Sequence, residues 1–565
     1  MSVTIGIDLG TSTTEAAVYR NGKPEMILNF EGESVIPSAV GIDEGGNWIA
    51  GSRAKAQFLL APERTAVEVK RKTGSGELIP LGKGKYTPME LQERLLSYVR
   101  AYASEYLGED VNRAVISVPA YFDHAQRTET IAAGENAGFA VDRIINEPTA
   151  AAMSYGLEHM EEDSHVLVYD LGGGTFDVTL LEMFSGVLEV KASAGDNQLG
   201  GKDFDERLME ELYRRFEKKH KINLRKDRMA VVRVKDAAEK CKIGLSTRES
   251  WQVLLPAVCV RNGEPLEMNE IITRDEFEAI AAPLLERTHA PLDTVLQDAG
   301  LTPDRIDHII LVGGSTRMPM VVRDIESYLE KAPVPAVDPE FAVSMGAAIQ
   351  AAIISGDIDP MEGLVMTDVS AFSLGVRAGE GDEDYDHMSV VIPRNITIPA
   401  KRTETYYTAG DGQTVAQIEV YQGESRLASH NQFLGKFMIR GIPPRPRGRE
   451  KIEVTFAYDL NGMLAVTARI VSTGKEAAID IDMKKPDKKP DLSGWKDAEG
   501  AKEYRSLIRT AERLLKQMKD TLPPSALDKA EQQLDQLKEE LLKGRLSDAK
   551  QTAEILSSLI EMMRN

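Results

Sequence analysis

Two segments of the chain share an order of residue types suited to phosphate chemistry. Ile5-Gly-Ile-Asp8-Leu-Gly10-Thr11-Ser12-Thr13 is echoed by Val168-Tyr-Asp170-Leu-Gly172-Gly173-Gly174-Thr175-Phe-Asp177, with the leading aspartates 162 positions apart. In each, an apolar run enters Asp-Leu-Gly, passes Gly/Thr-rich turn residues and continues as a second β-prone run. Glycines let backbone N–H groups approach phosphate oxygens. The hydroxyls of Thr11, Ser12 and Thr175 add donors. Asp8 and Asp170 suit hydrated Mg²⁺, which prefers carboxylates, waters and phosphates. Either segment alone also reads as an ordinary tight hairpin. The pair, in matching order, points to two related lobes clamping a triphosphate. A third element, Leu311-Val-Gly313-Gly314-Ser-Thr-Arg317, again follows an apolar run. Its Gly-Gly permits close backbone approach, and the Arg317 plane can stack on a base. It gains weight only from its place after the paired segments.

These segments need strands and helices to hold them. Up to about Gly356, apolar runs such as Val166–Tyr169 and His308–Val312 have the character of buried strands of an α/β sheet. Amphipathic stretches between them, Asp205–Phe216 and Met229–Leu245, read as helices. From Asp368 to about Met483 the pattern changes. Val415–Tyr421 and Lys451–Phe456 alternate in period two, and Asp459–Gly462 reads as a hairpin turn, which predicts an antiparallel β-sandwich. Lys484–Pro490 is a charged, proline-bearing linker. Beyond it, Leu507, Ile508, Ala511, Leu514, Leu515 and Met518 share one helix face. Pro523 and Pro524 end that helix. A second turns Leu527, Ala530, Leu534, Leu537 and Leu541 inward, Gly544 stops it, and Ser547 caps a third, so a small antiparallel bundle is expected.

Composition narrows the function classes. The 565 residues are 42% hydrophobic and 28% charged, an ordinary globular balance that excludes a disordered or fibrous chain. A net charge of −21 disfavours nucleic acid as a partner. Cys241 and Cys259 are too few for a disulfide framework and read as buried free thiols. Met1–Leu9 lacks the basic start of a signal peptide, and no apolar run approaches the roughly 18 residues of a membrane span. The reading is a soluble cytoplasmic protein with no membrane partner.

The set IGIDLGTSTT, VISVPAYFDHAQR, IINEPTAAAMSYG, DLGGGTFDVTLL, LGGKDFD, AAEKCKIGLS and LVGGSTRMPM, in this order, resembles the ATPase domain of the seventy-kilodalton heat-shock chaperones of the DnaK type. FSLGV, NITIPAKRT, QIEVYQGE, RGIPP and KIEVTFAYDLNGML resemble that family's peptide-binding β-sandwich, and the terminal helices its lid. The resemblance covers almost the whole chain. It implies an actin-like two-lobed ATPase domain over 1–358, a linker over 359–368, a sandwich over 369–485 and a shortened helical lid over 486–565. It also implies ATP or ADP with Mg²⁺ and K⁺, slow hydrolysis acting as a timer, and control of the capture and release of extended hydrophobic segments. The implied partners are unfolded or dedicated clients, a J-domain cochaperone and a nucleotide exchange factor.

By resemblance, Asp8, Gly10, Thr11 and Ser12 form the first phosphate hairpin, and Gly172, Gly173, Gly174 and Thr175 the second. Asp8, Asp170 and Asp177 surround the metal and attacking water, with Asp8 and Asp170 reaching the ion through water. Lys70 contacts the γ-phosphate and Glu147 senses the nucleotide. On sequence alone, Lys70 would pass for a solvated lysine. Gly200 and Gly201 make a phosphate-side turn. Glu239, Lys242, Ser246, Gly313, Gly314 and Arg317 build the adenosine side. Pro119 and Arg127 relay ATP binding, Arg143 and Asp368 form an ion pair at the domain junction, and Leu364, Val365 and Met366 dock the linker. Phe372, Leu374, Val376, Tyr406, Ile418 and Ile452 line the peptide cleft, with Ala409 on its arch.

The chain departs from the family pattern in places. Residues 72–87 are short, and Thr367 replaces a leucine in the linker. Ala416 stands where a larger aliphatic shapes the central peptide pocket, and Gly379 where a bulky arch residue reaches over the peptide. About 25 residues separate the sandwich from Leu507, which implies a truncated bridging helix. The whole resembles a short bacterial paralogue. Sugar or acetate kinases and actin-like filament proteins share such paired hairpins, but neither has use for a sandwich and bundle after residue 368.

Overall fold

The computed structural model describes residues 3–157, 159, 163–184, 186–334, 338–358, 365–380, 384–479, 495 and 500–518, together with 533–534, 537–538, 541, 549–550, 552–553, 556–557 and 560. The chain separates into two units, Met1–Asp482 and Met483–Asn565.

The first unit repeats one design twice. Strands Thr4–Leu9 and Thr13–Arg20 form an antiparallel hairpin, and Thr4–Leu9 pairs in parallel with Arg113–Val118 on its other side. Ser164–Leu171 and Phe176–Phe184 form the second hairpin, and Ser164–Leu171 pairs in parallel with His308–Val312. The expected strands thus occupy matching places in two six-stranded sheets. Their apolar runs are continuous because both faces are covered; Val166 to Leu171 are all fully or nearly fully buried. Helices Glu147–Gly156 and Ala342–Ser355 pack where the two halves meet. A Cβ on Gly346 would lie 1.7 Å from the Ala150 carbonyl oxygen, so only glycine permits this helix contact. Helices Gly201–His220 and Arg228–Leu245 stand where the amphipathic patterns put them.

Two four-stranded antiparallel sheets follow. One orders Asp384–Ile392, Leu374–Glu380, Val415–Gln422 and Gln432–Arg440; the other Ala400–Tyr407, Lys451–Tyr458, Leu464–Ile470 and Glu476–Ile479. Along Lys451–Tyr458, exposed or half-buried residues alternate with buried ones, as period two requires. Val376, Val420, Ile439, Ile452, Phe456 and Val466 fill the space between the sheets.

The strand Val365–Val369 joins both parts. It pairs in parallel with Val187–Glu189 at the edge of the second six-stranded sheet and antiparallel with Thr397–Ile398 on its other side. The sandwich therefore rests against the half that carries the paired hairpins. Asp298 receives hydrogen bonds from Arg394 (2.7 Å) and Asn395 (2.8 Å), Asp123 receives one from Gln432 (2.9 Å), and the Asn461 side chain accepts from the Ile144 amide at 3.2 Å.

In the second unit, helix Ala501–Met518 buries Ile508 and Ala511 against Leu534, Leu537, Leu541, Leu556 and Ile560. The expected positions Leu527 and Ala530, the breaks at 523–525 and the linker 484–490 lie outside the described residues. Among the described residues no helix is long and apolar enough to cross a membrane.

Candidate functional site

The two hairpin tips meet. A Cβ on Gly173 would lie 2.1 Å from Ser12 Oγ and 3.0 Å from Ser12 Cβ, so the tips touch across the lobes. The second tip is braced by the helix behind it, because the Gly201 and Lys202 amides each donate at 2.9 Å to the Gly172 and Gly173 carbonyls. Arg71 adds a bolt across the same gap, bonding the Gly174 carbonyl at 3.0 Å and the Asp203 carboxylate at 2.5 Å.

Around this contact lies a cavity of about 680 Å³, within the range of small-molecule sites. Asp8, Gly10, Thr11, Ser12, Lys70, Glu147, Asp170, Gly172, Gly173, Thr175 and Gly201 line one end. Glu239, Lys242, Ser246, Gly313, Gly314 and Arg317 line the other. Gly174 and Gly200 do not line it. They are spacers, since a Cβ on Gly200 would sit 2.5 Å from the Gly174 amide nitrogen. Asp177 lies just behind the wall, accepting the Tyr121 amide at 3.2 Å, and its other oxygen has no hydrogen-bond partner among the described residues.

The first end is crowded with buried acids. Lys70, only 6% exposed, reaches Glu147 at 2.5 Å, and Ser117 donates to Asp8 at 2.7 Å. Burial, with the charges of Glu147, Asp177 and Asp8, pushes the Asp170 carboxyl well above its ordinary range. Burial and the Glu147 charge push Asp177 up to about 7. Burial raises Glu147 too, although Lys70 works against the shift. Such a cluster calls for added positive charge. No three acidic or other ligand side chains among the described residues converge tightly enough to hold an ion alone. The chemistry of the paired carboxylates of Asp8 and Asp170, both lining this end, suits a hard cation such as Mg²⁺.

The far end is a lattice of ion pairs. Lys55 and Lys202 reach Glu239 at 2.7 and 3.4 Å; burial opposes them, yet they hold its carboxyl down to about 2. Lys242 bridges the Gly201 carbonyl at 3.0 Å and Asp205 at 2.8 Å. Arg317 is paired with Asp338 at 2.6 Å.

From the acidic end a chain of contacts runs to the linker. Lys70 Nζ stands 5.5 Å from the Phe122 ring, and the Phe122 amide bonds the Pro119 carbonyl. Arg127 bonds the carbonyls of Ala120 and Phe122 and donates to Asn146 Oδ1 at 2.7 Å. Asn146, adjacent to Glu147, donates at 2.7 Å to Asp368. The expected Arg143–Asp368 ion pair is not formed. Arg143 donates to Gln350 at 3.1 Å, and Asp368 is already satisfied by Asn146 and the Val369 amide. Val365 and Met366 lie in the docked strand; Leu364 falls outside the described residues.

Among the expected cleft residues, Val376, Ile418 and Ile452 are buried in the sandwich core, which Leu374 shares, while Ala416 and Tyr406 pack against it. The Tyr406 hydroxyl spans the sheets to Ser389 at 2.9 Å, and the Ala409 amide is held by Gln413. Phe372 is elsewhere. Its ring packs on Tyr121 with centroids 4.2 Å apart, because it directly follows the docked linker and meets the half with the paired hairpins first.

Sequence reasoning missed Asn146, Arg71, Lys202 and Glu15. Glu15 lies opposite Asp8 in the first hairpin, is 1% exposed, and is raised well above the ordinary range by burial and the Asp8 charge. Its signal was an acid inside an otherwise inward-facing apolar strand.

Known proteins carry the same pattern. A family model described as Hsp70 protein matches residues 4–78 and 77–565. Relatives named "Chaperone protein DnaK" from Thermotoga petrophila, a further Thermotoga strain and Thermotoga neapolitana are each 46% identical over 481 residues, covering 84% of this chain and 80% of theirs.

Proposed function

The chain belongs to the Hsp70 family, whose members are ATP-dependent chaperones that hydrolyse ATP, bind ATP or ADP with Mg²⁺ and act on unfolded polypeptides with cochaperones; from that premise we propose how its own residues divide the work. Residues 1–358 are the actin-like ATPase domain, 359–368 the linker, 369–485 the peptide-binding sandwich and 486–565 a shortened helical lid. The hairpin amides and hydroxyls hold the phosphates. Lys70 donates to the γ-phosphate and orients the attacking water. Asp177, which binds a proton more readily than an ordinary carboxylate, accepts the proton from that water. Asp8 and Asp170 would hold Mg²⁺ through water, and the ion when bound would supply positive charge against the phosphate oxygens. K⁺ is proposed as a further cofactor. The partners proposed are client segments, a J-domain cochaperone and an exchange factor, and the buried free thiols support a reducing cytoplasmic setting.

The observation that carries this reading is the contact chain from Lys70 through Glu147, Asn146 and Asp368 into a linker paired with both halves. Such a chain links the nucleotide site to the peptide cleft. The test is hydrolysis assayed with and without an extended apolar peptide, beside a panel of sugars. Stimulation by peptide with no phosphorylated sugar is expected; a phosphorylated sugar overturns the reading.

Two further outcomes follow. Asp170→Asn weakens Mg²⁺-dependent nucleotide binding, because a carboxylate buried beside the phosphates is lost. Calorimetry against Mg²⁺ concentration checks it, and unchanged dependence counts against the role. At the cleft, Ala416 leaves out two or three carbons of contact, each worth about 0.8 kcal/mol. The Tyr406 hydroxyl is held by Ser389 at 2.9 Å, and we take the space beside Ala416 to be open to the peptide. Ala416→Val is therefore expected to tighten leucine-centred peptides and slow their release in stopped flow. An unchanged off-rate contradicts the wide pocket.

A further inference from the structure

The loop after the strand Gln432–Arg440 is strongly basic in an acidic chain. Residues 440–451 hold Arg440, Arg445, Arg447, Arg449 and Lys451 against a single acid, Glu450. Glu450 does not face solvent. It is 1% exposed, hydrogen-bonded by Ser472 and paired with Arg445 at 3.0 Å. Arg440, Arg449 and Lys451 are exposed, and Arg440 and Arg449 have no carboxylate partner among the described residues. Prolines at 443, 444 and 446 fix three φ angles, so the backbone of the loop is stiffened and little of its own entropy is lost on binding.

This basic loop is fastened to the loop that carries Ala409. The Gly448 amide donates to the Thr408 carbonyl and the Gly412 amide to the Arg445 carbonyl, both at 2.9 Å. The Arg447 amide donates to Asp411 at 2.8 Å, and Lys451 Nζ stands 5.9 Å from the Tyr407 ring. The rim beside Ala409 is therefore positive. An extended segment turns alternate side chains to opposite sides, so acids at every second position face the basic rim together.

We propose that this rim makes the cleft select extended apolar segments that carry acidic residues beside their apolar core. The proposal rests on the peptide-binding reading above. Guanidinium groups suit carboxylates by their paired donor geometry. Exposed pairs are individually weak, so two or three together amount to about five- to tenfold in affinity, lost at high salt.

The test uses the full chain with ADP and three labelled peptides sharing one leucine-rich core, flanked by Glu, Lys or Gln. Anisotropy at low and high salt is expected to rank Glu above Gln above Lys at low salt only. In the double variant Arg440→Glu/Arg449→Glu the ranking reverses, and in Arg440→Gln/Arg449→Gln it levels, while the Gln-flanked peptide binds as before. The second variant serves if charge reversal disturbs folding. A wild-type preference for Lys flanks, or flanks without effect, overturns the proposal and leaves the cleft reading standing. Failure of all three peptides to bind removes both. Equal displacement of the Glu-flanked peptide by a single-stranded oligonucleotide also overturns it, since the rim would then be reading phosphate.

Discussion

Lys70→Ala slows single-turnover ATP hydrolysis by about 10²–10³, the usual cost of losing one preorganised electrostatic donor, while ATP still binds. The reasoning is geometric. Lys70 is buried and lies against Glu147 at 2.5 Å, with Asp8 and Asp170 lining the same end of the cavity. Removing it deprives that end of an ammonium just where negative charge develops. Binding is expected to persist because the proposed phosphate donors are the hairpin backbones, the second of them braced by the Gly201 and Lys202 amides. Lys70→Met, which keeps most of the volume, should behave alike and separates charge from packing. A wild-type single-turnover rate in both variants removes Lys70 from the chemistry.

The second large effect is loss of coupling. Val365→Asp with Met366→Asp leaves basal hydrolysis in place but abolishes its stimulation by peptide, and ATP no longer speeds peptide release. Val365 and Met366 pair with Val187 and Leu188, and Met366 packs on the apolar cluster beneath. Aspartate is a poor strand residue and costs free energy when its charge is brought against that cluster. The docked strand is destabilised and Asp368 loses its seat against Asn146. Hydrolysis rates with and without peptide, and peptide off-rates with and without ATP, read both directions. Survival of both couplings shows that the strand does not carry the signal.

Much of this was legible in the sequence. The duplicated Asp-Leu-Gly segments gave the two hairpins, because glycine at a tight turn after an apolar strand leaves few alternatives. Period-two alternation likewise marked the sandwich strands. What stayed hidden depended on distances that spacing cannot supply. Arg143 and Asp368 have opposite charges, but Asn146 reaches Asp368 first and Gln350 takes the guanidinium. Phe372 is apolar enough for a cleft, yet Tyr121 lies closer. Gly174 and Gly200 share the glycine signature of their neighbours and serve as spacers, since the absence of a side chain can open a binding surface or simply allow two backbones to meet.

The docked linker has one more consequence. Val187–Asp196 is bordered by Phe176–Phe184 on one side and by Val365–Val369 on the other. When the linker departs, Val187–Asp196 becomes the outermost strand, and its unpaired amides and carbonyls are a template on which a foreign strand can add. The segment proposed to couple the domains is therefore also a stopper against unwanted polymerisation. The molecule is best protected from its own kind while the linker is seated, and each undocking briefly surrenders that protection.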